Sequence, residues 1–150
     1  MTKKGIPDSG IVLQASGDLI RKAAERVLTD FTMFVEDSEG NHYSQKESIA
    51  AGDSIVFKEN MDICPAIVIA TLLEENLWFV MTTAECPRTR CDDMQAMKCA
   101  RLNDQNLRIL REFVTDRKEA KMLTEWQSGF RDPSMLEKII DRTTHRWLIE

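Results

Sequence analysis

"CPAIVIATLLEENLWFVMTT", residues 64–83, decides the fold. Pro65 suits the first position of a helix, where its preset φ fits and its missing N–H is no loss. Ile67, Val68, Ile69 and Thr71 are β-branched and suit a buried strand, and a run this apolar has no periodicity to separate the two readings. Length favours a helix over 65–75 followed by a strand over 77–83. Two strands turning at "EEN" (74–76) are the alternative.

On the N-terminal side, "AGDSIVFKEN" (51–60) reads as a short strand between turn residues. "DFTMFVEDSEGNHYSQ" (30–45) reads as a hairpin, with Gly40 supplying the positive φ of the "DSEGN" turn. "SGDLIRKAAERVLTDF" (16–31) is an amphipathic helix. Leu19, Ile20, Ala23, Ala24, Val27, Leu28 and Phe31 recur at helical spacing, and Ser16 or Asp18 is placed to accept the free N–H groups of the first turn.

On the other side, no proline or glycine interrupts the chain from Asp92 until Gly129, and helix formers dominate. This predicts a long helix with Leu102, Ile109, Leu110, Phe113 and Ala120 as its apolar stripe and "NDQN" (103–106) as a weak point. Gly129 is the expected stop. Asp132 and Pro133 restart a second helix, antiparallel to the first across the short "GFRD" gap. The expected architecture is one α+β domain over 1–150. It has an N-terminal helix, a small antiparallel sheet of three to five strands, and a C-terminal helical hairpin packed on that sheet. An architectural seam is expected near 86–91.

At 150 residues, with 43% hydrophobic and 30% charged residues, the chain has the composition of a globular domain that buries its own core. The net charge of −5 opposes binding to anionic membranes and nucleic acid. That charge is uneven: residues 1–85 carry seven Lys/Arg against fourteen Asp/Glu, whereas residues 86–150 carry thirteen against eleven. Arg88, Arg90, Arg101, Arg108 and Arg111 are therefore the candidate nucleic-acid contacts, although acidic residues alternate with them. No run reaches the roughly 20 apolar residues of a membrane span, and the N-terminus lacks the apolar segment of a secretory signal. A cytoplasmic protein with reduced thiols is expected.

Three of the four cysteines fall within "ECPRTRCDDMQAMKC" (85–99). Cys86 and Cys91 form one loose pair. On a helix Cys91 and Cys99 stand about 12 Å apart at a rise of roughly 1.5 Å per residue, too far to share an ion. No metal or cofactor is expected. The cysteine-to-arginine loop of phosphatases separates those residues by five positions, but Asp92 occupies the arginine place after Cys86. Cys91, at a helix start beside Arg88 and Arg90, is the one candidate reactive thiol.

The glycines stand singly, so no dinucleotide or P-loop pattern exists, and neither does a Gly-x-Ser-x-Gly elbow. Glu137, Asp141 and His145 are spaced four and four, as on a solvated helix face. Trp126, Phe130 and Trp147 are the candidate partner-binding anchors. With no catalytic residues to assign, the chain reads as a non-enzymatic interaction protein: a regulator, adaptor, secretion-type chaperone or inhibitor, homodimeric or bound to a protein partner. Nucleic-acid binding and a thiol-dependent enzyme are the alternatives.

Overall fold

The computed structural model describes residues 9–61, 64–85 and 92–127. Its elements run β1 (Ser9–Gln14), α1 (Gly17–Val27), β2 (Phe31–Glu36), β3 (His42–Tyr43), β4 (Ser54–Glu59), β5 (Ala66–Glu74), β6 (Leu77–Ala84), α2 (Asp93–Thr115) and β7 (Lys121–Gln127). The strands form one sheet in the order β3-β2-β4-β5-β6-β1-β7, with every paired neighbour antiparallel.

This corrects the expected fold in three places. The decisive stretch is two strands turning at Glu75 and Asn76, not a helix over 65–75 followed by a strand. Strands buried on both faces are apolar throughout, which is why the stretch has no period. Asn76 takes φ 58° in the turn, a left-handed conformation that asparagine tolerates well. The sheet has seven strands rather than three to five, because "SGIVLQ" (9–14) and "KMLTEWQ" (121–127) join it. Finally, the described residues contain no C-terminal helical hairpin. The helix that begins after Asp92 is unbroken at "NDQN" but ends at Thr115, well short of Gly129, and the chain then pairs with the outer edge of β1. The hydrogen bonds offered by that edge outweigh the modest helix propensity of residues 121–127. The expected helix from 133 and the seam near 86–91 lie outside the described residues.

Other elements match local chemistry. The Ser16 hydroxyl accepts the Leu19 N–H at 3.3 Å and caps α1, and the Asp92 carboxylate accepts the Gln95 N–H at 2.8 Å and caps α2. Gly40 takes φ 90° in the turn between β2 and β3.

Both helices pack on one face of the sheet. Leu19, Ile20, Ala23 and Ala24 of α1 meet Leu107, Leu110, Phe113 and Val114 of α2 over Ile11, Leu13, Phe57, Val68, Ala70, Trp78 and Val80. The stripe on α2 is therefore rotated from the expected one, and Leu102 is exposed. The Thr82 hydroxyl donates to the Asn103 carbonyl at 3.0 Å, joining the "NDQN" turn to β6. The opposite face is also apolar. Phe34, Val56, Ile69 and Met81 are cross-strand partners in one row, while Ser54, Thr71, Phe79 and Val12 form the next.

Candidate functional site

The start of α1 and the loop after β3 flank the β2 and β4 side of the sheet. Met33 and Val35 of β2, with Ile55 and Phe57 of β4, floor a groove of about 730 Å³. One wall is the start of α1, with Ser16, Asp18 and Arg21. The other is the loop after β3, with Lys46, Glu47 and Ile49. An apolar floor with a few polar groups on its rim is the usual composition of a site that takes an apolar group in a defined orientation.

The loop wall is held by a buried carboxylate. Asp53, 3% exposed, accepts the Lys46 ammonium at 2.6 Å and the Ala50 N–H at 2.8 Å. Its main chain is fixed from the other side: the Leu72 N–H donates to the Asp53 carbonyl, and the Gly52 N–H donates to the Leu72 carbonyl. Gly52 turns the chain into β4 with φ 93°. The hydrogen bond to Asp53 raises the Lys46 pKa above its ordinary value, so the ammonium stays charged. The Lys46 ammonium also lies 5.6 Å from the Tyr43 ring centroid. The Tyr43 hydroxyl donates to Asp37 at 3.1 Å, which raises the phenol pKa. Asp37 further accepts the N–H groups of Glu39 and Asn41, each at 2.9 Å, and the Asn41 amide at 3.1 Å. These bonds, the Asn41 N–H first, lower its pKa to about 2. A polar chain from Asp37 through Tyr43 and Lys46 to Asp53 thus gives the groove a fixed wall.

Beside the groove runs an open strand edge. The Asn60 N–H donates to the Asp30 carbonyl on the β4 side, whereas the Asp37 N–H donates to the Asn41 carbonyl on the outer side. Main-chain groups alternate along a strand, so those of Phe31, Met33 and Val35 point outward. β3 covers only Val35 and Glu36. Among the described residues no strand pairs with the outward N–H and C=O groups of Phe31 and Met33, and the Met33 side chain faces the groove.

The candidate residues read from sequence are scattered. Cys91, Arg88, Arg90, Phe130 and Trp147 lie outside the described residues. Trp126 is in β7, opposite Gly10 of β1. Arg101 and Arg108 are exposed on α2 and Arg111 is half-buried, with Asp104 and Glu112 between and beside them, which weakens any phosphate-binding face. Cys64 and Cys99 are buried. Among the described residues no three His, Cys, Asp or Glu side chains converge as metal ligands would. No helix among them is long and apolar enough to cross a membrane.

Sequence reasoning missed the groove because its floor comes from alternate residues of two strands that are about 20 positions apart in the chain. The one available signal was Asp53, an acid directly ahead of an apolar strand. No family model, curated protein or solved structure matches this chain.

Proposed function

We propose that this is a non-enzymatic, cytosolic interaction protein, of the regulator, adaptor, chaperone or inhibitor kind, that receives an extended segment of a protein partner along β2. The observation that carries this reading is the position of an open main-chain edge, at Phe31 and Met33, directly beside an apolar groove. An added strand takes its affinity from main-chain hydrogen bonds and its selectivity from alternate side chains entering a pocket.

A partner segment fits this edge better than a second copy does. Two β2 edges aligned about Thr32 pair Phe31 with Met33 of the other copy, which brings that copy's Thr29 opposite Val35. Tyr43 already occupies that place.

Proline substitution on the edge tests the reading. Met33→Pro removes an outward N–H, which edge strands tolerate, together with one side chain of the groove floor, whereas Thr32→Pro removes an N–H that bonds to β4. Peptides selected for binding from a random extended-peptide library are expected to shift the Phe31 and Met33 amide resonances. Met33→Pro should abolish their binding while the fold is kept. Selected peptides that bind Met33→Pro as well as the parent, or that perturb other surfaces only, refute the proposal.

A further inference from the structure

The groove beside β2 is unequally charged. Four charged side chains line it: Asp18 and Arg21 on α1, and Lys46 and Glu47 on the loop after β3. Both cations are already engaged, since Arg21 Nε lies 3.3 Å from a Glu25 carboxylate oxygen and Lys46 Nζ lies 2.6 Å from Asp53. The two carboxylates are not. Among the described residues no lysine, arginine or histidine pairs with Asp18 or Glu47, and both are exposed. The N-terminus of α1, worth roughly half an elementary charge, offsets part of Asp18 in its first turn. Glu47, on a loop, faces no such dipole.

A second cavity, of about 460 Å³, adjoins the groove and shares Gly17, Ile49 and Ile55 with it. Its two charged lining residues, Glu74 and Glu75, are both acidic. The field over the apolar floor is therefore negative, and it is carried from both walls.

With strand addition along β2 as its basis, we infer that the partner segment is basic: an apolar side chain for the groove, flanked by lysine or arginine. A residue paired opposite Met33 projects to the same side of the sheet as Met33, over the groove floor. The residue two positions on toward Val35 projects to that side too, next to the loop that carries Glu47. Lysine and arginine suit this place, because their methylene stems can lie on apolar surface such as Ile49 while the charged head reaches a carboxylate. An acidic segment meets like charge on both walls, and that repulsion excludes it. Such exposed pairs are worth a few-fold in affinity each and are screened by salt, so the preference is largest at low ionic strength and resides mainly in the association rate.

Peptide titration with the full chain tests this. One peptide selected from the extended-peptide library is made in three forms, with the positions flanking its groove residue all lysine, all serine or all glutamate. The lysine form is expected to bind at least about five-fold more tightly than the glutamate form at low salt, with the serine form between them, and to lose most of that advantage at high salt. Glu47→Lys should narrow the gap between the lysine and glutamate forms several-fold. Glu112→Lys, an exposed charge reversal on α2 that does not line the groove, should leave the gap as it is. Equal binding of the three forms, tighter binding of the glutamate form, or an unaltered gap in Glu47→Lys overturns the charge preference; strand addition itself survives that result if Met33→Pro still abolishes binding. Binding that Met33→Pro leaves intact, or a library that yields no binder, overturns both.

Discussion

The Trp78 indole N–H donates to the Ala15 carbonyl at 3.0 Å, joining residues 63 positions apart. Both residues are 4% exposed, and the Ala15 N–H in turn donates to the Asn76 carbonyl at 2.9 Å. The turn that starts α1 is thereby fastened to the β5–β6 hairpin, and this sets where α1 begins as one wall of the groove. Trp78→Phe keeps an aromatic ring but leaves the buried Ala15 carbonyl unpaired. The expected loss is about 1–3 kcal/mol in urea unfolding. No change in midpoint would show that the bond contributes nothing to the fold.

Gly10 lies beneath the Phe79 ring. A Cβ at this position would stand 2.5 Å from Phe79 Cζ and 2.9 Å from the Val80 carbonyl oxygen. A ring that is 0% exposed has no room to withdraw, and the carbonyl is part of the sheet. Gly10→Ala should destabilise by about 1–3 kcal/mol, as overpacking does. Adding Phe79→Leu should recover part of that loss, and a double-mutant cycle measures the coupling.

The turn at Asp37 predicts a specific acid response. Its folded pKa, about 2, lies below the ordinary 3.8. The unfolded chain therefore binds the proton more readily, and this contribution to stability is complete above about pH 4 and disappears as pH falls through 2. Carbon-detected titration of the Asp37 carboxyl should show its midpoint near 2. Asp37→Asn should remove that part of the acid dependence, and an unaltered acid profile in this variant would count against the assignment.

Cys64 and Cys99 are each 7% exposed. Thiol reagents should therefore modify both at least ten-fold more slowly in the native protein than in urea, because only transient opening admits the reagent. Mass mapping after brief alkylation separates these two from Cys86 and Cys91. Fast native modification of Cys64 or Cys99 would contradict the burial that places them.

Burial in the strands also explains what could be read before the structure. Helix α1 with Ser16 or Asp18 at its start, the Gly40 turn and a helix running on from Asp92 depend on residues within a few positions of one another, so composition and spacing were enough to read them. β1 has three consecutive core residues, Ile11, Val12 and Leu13, each at most 1% exposed, and so lacks the alternation that marks a one-sided strand. β7 has the composition of a helix and is a strand because β1 offers it an unpaired edge.

Local chemistry alone was enough for the starts of α1 and α2 and for the Gly40 turn, because caps and positive-φ positions act over one turn of chain. Tertiary structure decided whether 64–83 was helix or strand, how far α2 extends, and which residues form the groove. Those outcomes depend on hydrogen bonds and apolar surfaces supplied by distant segments: β4 and β6 on either side of β5, β1 beside β7, and Asp53 reaching back to Lys46.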